Sequence, residues 1–217
     1  MFSTLFKTKP VIDEASKEWI FDTFAWCIAN LDGDFFKDKS ELILPNNTFY
    51  PGSSSSVEEM AETIFTNTIK YTGMTSWPIR LVSSDSFTPK AIPQLSFESG
   101  LRGENCKVSC TANYVVGQEN KAPAIDIAFH SSQLNQPQDL IAYLVQSQAS
   151  ILVNQNGMLP PGGKDLLSQT IDLAACFMGY GVIFANTAYQ FKGGCGSCNN
   201  QNLNRQAALP ELETVYA

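Results

Sequence analysis

Apolar residues recur at helical spacing near both ends of this chain and at strand spacing only in its middle. Trp19, Ile20, Phe24, Cys27, Ile28 and Leu31 follow the helical period, with Asp13 placed to cap the run and Asp32, Gly33 and Asp34 placed to stop it. The spacing therefore predicts a helix from about Asp13 to Leu31. The short run Leu42 to Leu44, closed by Pro45, reads as an edge strand leading into the turn-rich NNTFYPGSSSS. Ser56 followed by Glu59 forms a capping box. The stripe Met60, Ile64, Phe65, Ile69 then predicts a second helix, ended by Gly73.

From Pro78 to His130 the pattern shortens into β-branched runs, Ile79 to Val82, Val108 to Val116 and Ala124 to Phe129, separated by Pro, Gly, Ser and Asn. These predict a small, mostly antiparallel sheet. A helix from about Gln138 to Val153 follows, then the loop NQNGMLPPGGK and a second apolar helix from about Asp165 into residues 179–181. Helices, then a sheet, then two packed helices predict one α+β domain over residues 1–217, with the last pair covering a sheet face. At the end, Pro210, Glu211 and Glu213 stand where a helix begins while Ala217 closes the sequence, so the expectation is a C-terminal helix cut short or a tail docked on the body.

Composition narrows the function classes. An apolar fraction of 44% supports a sizeable core, and a net charge of -7 with dispersed acids disfavours the clustered Lys and Arg that nucleic-acid binding needs. Lys7 and Lys9 are followed by Asp13, Glu14 and Lys17 rather than by an apolar signal core. The long apolar stretch from Leu166 to Phe191 is punctuated by Asp172, Gly179, Gly181, Asn186 and Gln190, so a buried helix is expected and no membrane partner. Six cysteines without a signal pattern point to a reducing compartment, the cytoplasm.

Candidate chemistry is sparse. His130 is the one histidine, so a zinc site needing two imidazoles a helical turn apart cannot be built. Cys106 and Cys110 form a CxxxC pair, and Cys195 and Cys198 a CxxC knuckle between glycines. Their four thiols could hold one structural zinc, the knuckle alone could exchange disulfides, or the thiols have no joint role. Redox work wants the first thiol at a helix N-terminus, and NNQNLN is not a clear helix start. Cys27 and Cys176 sit among apolar neighbours and read as core. Gly179, Tyr180 and Gly181 lie at a helix end and read as close helix–backbone packing rather than half a dinucleotide fingerprint. His130, beside Ser131 and Ser132, reads as a hydrogen-bonded histidine at a strand end.

Four segments carry a resemblance: the first helix ending in DGDFF, LPNNTFYPG before the capped helix, SQLNQPQDLIAYLVQSQASILV, and IDLAACFMGYGVIFANTAYQF with NRQAALPELETVYA. Together they resemble a mainly bacterial family of zinc-metallopeptidase relatives. In members that keep the metal motif, an AHELAH-like helix follows an LxxP turn, and a TDL-like helix runs into GxGVFxAN; residues 134–137 and 181–186 fit those flanks. The resemblance implies a zincin-like α+β fold in which Gln146 and Ser150 stand in place of the two histidines and Ser147 in place of the catalytic glutamate. An amide or hydroxyl oxygen is a far poorer zinc ligand than imidazole, and a serine hydroxyl is too weak a base to activate bound water. Asp165 and Asp172 are the carboxylates near the second helix, and Asp172 matches the TDL aspartate, with neither assigned as a ligand.

The expectation is a non-catalytic zincin-like pseudoenzyme, a binding or scaffold module for an unidentified protein or peptide, with no cofactor beyond a structural zinc on the cysteines. The enzyme alternative is a thiol–disulfide oxidoreductase using Cys195 and Cys198. Gln146 and Ser150 are expected either to hydrogen-bond to each other or to backbone carbonyls on a half-exposed helix, or to line a residual pocket.

Overall fold

Where the helical signal is strongest, the chain caps its helices with the residues the pattern singled out. The computed structural model describes residues 11–52, 55–110, 124–188 and 206–217. Helix α1 (Glu14–Asn30) is capped by Asp13, whose carboxyl accepts from the Ser16 N–H at 2.9 Å. Asp32 ends this helix and also starts a short one that the sequence reading had as a stop, α2 (Gly33–Lys39). Asp32 adopts φ +70, a left-handed conformation that Asp tolerates better than most residues, and its Oδ1 accepts from Phe35 N–H. Its Oδ2 takes the N–H groups of Leu101 and Arg102, each at 3.2 Å, so one side chain ties the α1–α2 corner to a distant loop.

Helix α3 (Val57–Thr72) has Ser56 as its cap and Gly73, at φ +74, as its end. The Glu59 carboxyl reaches back to Ser55 rather than Ser56, accepting from its N–H at 2.7 Å. The 42–44 segment differs from the edge strand expected: it pairs with no strand among the described residues and is held by the Ile43 N–H donating to the Gly179 carbonyl at 2.8 Å.

The sheet also differs from expectation. Among the described residues four strands form two separate pairs: β1 (Ile79–Ser83) lies parallel to β4 (Ile125–Phe129), and β2 (Leu95–Ser99) lies antiparallel to β3 (Lys107–Cys110). The parallel pair needs a long crossover, which the 41 residues between Ser83 and Ile125 supply in part as the β2–β3 hairpin. β2 was not signalled as a strand, because Leu95, Ser96 and Phe97 give too short an alternation after the proline-rich 88–93 stretch. Of the expected 108–116 strand, residues 111–116 lie outside the described residues.

Helix α4 (Pro137–Asn156) forms the centre rather than a half-exposed cover. Leu140, Leu144, Val145, Ala149 and Leu152 are fully enclosed, and α3, α5 (Leu167–Ala175), α6 (Gly181–Thr187) and β4 all pack on it. Its one fully buried polar side chain, Gln148, accepts from the Thr72 hydroxyl at 2.9 Å and donates to the Thr68 hydroxyl at 3.3 Å, so both polar ends are satisfied across the α3–α4 contact.

Between α5 and α6 the helix widens into a π turn over Cys176–Tyr180, where Gly179 has φ +98. A Cβ there would sit 2.1 Å from the Glu41 carbonyl oxygen, so the glycine lets the 41–43 segment lie against the helix backbone. The helical run Leu167–Thr187 is long and apolar enough to cross a membrane by length and composition alone, yet 56% of its most apolar window is buried, as expected of a core helix.

The tail is docked. Leu209 is buried with Ile12, Ile20 and Leu173, and the chain ends in helix α7 (Glu211–Tyr216), packed on α6.

Candidate functional site

Three residues selected from the sequence, Gln146, Ser147 and Ser150, line one cleft of about 610 Å³. Their shared wall follows from helical spacing: positions 143, 146, 147 and 150 fall on one face of α4, the face that its buried leucines leave free. A second wall is formed by residues 124–128, Ala124 followed by β4, and a third by the loop 87–93. Gln155, near the end of α4, fixes that loop's exit by donating to the Pro93 carbonyl and accepting from the Leu95 N–H, both at 2.9 Å. Ser168 and Ile171 of α5 and Gln206 of the tail also line the cleft.

β4 borders the cleft by its edge. The Ile125 N–H donates to the Pro78 carbonyl at 2.7 Å, so Ile125, Ile127 and Phe129 direct their backbone groups toward β1. Asp126 and Ala128 then direct theirs to the opposite edge, with which no strand pairs among the described residues. The Asp126 carboxyl is itself engaged, accepting from Arg80 Nε at 2.9 Å.

Gln146 and Ser150 do not bond each other. The Gln146 amide nitrogen donates to Asp172 Oδ1 at 2.7 Å and to the Gln206 carbonyl at 3.0 Å. Both partners are acceptors, so the amide must turn its NH₂ toward them. Asp172, fully buried on α5, uses Oδ2 to accept the Ala208 and Leu209 N–H groups at 2.8 and 3.0 Å. The Asp172 carboxyl is thus joined to Gln146 of α4 through its amide and to the tail through backbone donors.

Ser147 donates to the Tyr143 carbonyl at 2.9 Å, and the Ser150 carbonyl accepts from Asn154. This donor set does not fit a zinc ion: Gln146 presents N–H groups to the carboxyl, and neither serine presents an anionic or imidazole lone pair. Asp165 lies in the turn before α5 and does not line the cleft.

The cysteine candidates are only partly placed. Cys106 is buried, and its thiol donates to the Leu101 carbonyl, the same acceptor that takes the Trp77 indole N–H at 2.8 Å. Burial pushes the Cys106 thiol up. The Cys110 side chain and all of Cys195 and Cys198 lie outside the described residues. Among the described residues no three His, Cys, Asp or Glu side chains gather as a metal site would require.

His130 stands at the end of β4 and caps the 3₁₀ turn Ser131–Asn135. Its Nδ1 accepts from the Ser132 N–H at 3.1 Å.

Sequence reasoning missed Tyr143, Ser168, Gln206 and the 87–93 wall of the cleft. Only the bracketing prolines Pro89 and Pro93 hint at an extended wall, and nothing local connects Gln206 to Gln146 across sixty positions. In comparisons with known proteins, no family model, no curated protein and no solved structure matches the chain.

Proposed function

We propose that the chain is a non-catalytic binding module built on a degenerate zincin-like core, whose cleft takes an extended peptide laid along the outer edge of β4. The observation that carries this reading is the convergence of Gln146, Ser147 and Ser150 on the same cleft as the backbone groups of Asp126 and Ala128, with which no strand pairs among the described residues. Main-chain groups at alternate positions are what an added strand reads, and neighbouring side chains then select its residues. The volume suits a ligand of a few residues. Hydrolysis is not part of the proposal, because Ser147 is a poor general base and Gln146 spends its donors on Asp172 and Gln206. Residence in a reducing compartment, the cytoplasm, belongs to the same reading, supported by the buried thiols of Cys27 and Cys106, which form no disulfide.

The test is a library of labelled extended peptides offered to the full chain. The expected result is a selected peptide recovered intact by mass spectrometry, whose affinity falls about tenfold or more with Ser150→Trp or with N-methylation at alternate peptide nitrogens. Cleavage that a chelator stops, or no peptide selected at all, overturns the reading.

A further inference from the structure

Away from the cleft, the outer faces of α1 and α7 join into one apolar strip. On α1, Phe21, Ala25 and Ile28 recur at positions i, i+4 and i+7 and face solvent, with Phe21 64% exposed. On α7, Leu212, Val215 and Tyr216 recur at i, i+3 and i+4, and Val215 is 67% exposed. The Phe21 and Tyr216 rings meet edge to face with centroids 6.2 Å apart, which makes the two stripes continuous.

Helix α7 is inverted relative to an ordinary surface helix. It buries Thr214, whose hydroxyl donates to the Pro210 carbonyl at 2.9 Å, and turns its leucine, valine and tyrosine outward. Such an arrangement leaves apolar area in water that a partner would cover.

The border of the strip is acidic. Glu14, Glu18 and Asp22 lie along α1, with Glu211 and Glu213 on α7. Lys17, the single basic residue of α1, is held by Glu14 at 2.6 Å. Two copies of this strip would bring like-charged borders together, and an anionic lipid surface would meet the same repulsion. We infer that the strip is a docking surface for a basic amphipathic helix of another protein, apolar face against Phe21, Ile28 and Val215, and Lys or Arg against the border. It shares no residue with the cleft, so it stands or falls independently of the peptide-binding reading.

The probe is a labelled amphipathic helix built from leucine and lysine, with a leucine–glutamate helix as counterpart, titrated into the full chain by fluorescence anisotropy. The lysine helix is expected to bind more weakly as salt rises and the glutamate helix not to bind. Phe21→Ser or Val215→Ser, and separately the pair Glu18→Lys with Asp22→Lys, should each weaken binding about tenfold, because each removes one half of the match. All four positions are exposed, so circular dichroism is expected to show an unchanged fold. The pair Glu98→Lys with Glu104→Lys makes the same change in net charge on β2 and its following turn, and should leave affinity within about twofold. Equal binding of the two helices, an equal loss in the Glu98 and Glu104 pair, no binding of the lysine helix, or a concentration-dependent dimer abolished by Val215→Ser would overturn the inference.

Discussion

A few residues here do what no substitute could. Gly179 is held at φ +98 by its place in the π turn, and the Glu41 carbonyl lies where its side chain would begin. Gly179→Ala is therefore expected to destabilise the chain by about 2–4 kcal/mol, combining a disfavoured backbone angle with a clash that a carbonyl cannot evade. Urea denaturation measures it, and a loss below about 0.5 kcal/mol would show that the 41–43 segment can move aside. Asp32 is the other such residue, since it caps α2 and receives two N–H groups of the 100–102 loop while holding a positive φ. Asparagine could imitate the angle but not the negative charge at the helix start.

Among the elements, the tail and α5 depend on one carboxyl. Asp172 accepts from the Gln146 amide and from the Ala208 and Leu209 N–H groups while fully buried. Asp172→Ala would leave three donors to find other partners, and a cost of about 3 kcal/mol is expected. The same variant should free residues 206–217, so limited proteolysis is expected to clip the tail several-fold faster than in the parent chain, read by mass spectrometry. An unchanged clipping rate would mean that burial of Leu209 and Thr214, the packing of α7 on α6 and the Gln146–Gln206 bond hold the tail without the carboxyl. Gln146 makes this an issue for the cleft as well, because Gln206 forms part of its lining.

For the whole molecule, the core around Cys27 sets an alkaline limit. Burial pushes that thiol up to about 12, with Arg102 pulling the other way. The folded chain thus holds this proton more tightly than the unfolded one, so its contribution is complete below about pH 9 and is lost as pH climbs toward 12. Relative to Cys27→Ala, the parent chain should lose up to about 1.4 kcal/mol per pH unit over that window, and Cys27 should resist alkylation at pH 8 until denaturant is added. Parallel stability curves for the two chains would refute it. How much of this was legible beforehand depends on the range of the forces involved. The sequence alone determined what local physics decides: the caps at Asp13 and Ser56, the glycine ends, the core character of Cys27, and the close approach at Gly179. These follow from side-chain chemistry within a turn or two of helix. Only the tertiary structure decided that β4 pairs parallel with β1, that α4 lies at the centre, that Asp172 joins Gln146 to the tail, and that Phe21 meets Tyr216. Each of those contacts links residues far apart in the chain, where pairing is chosen by the sum of burial and hydrogen bonding over the whole fold and leaves no periodic trace in either segment alone.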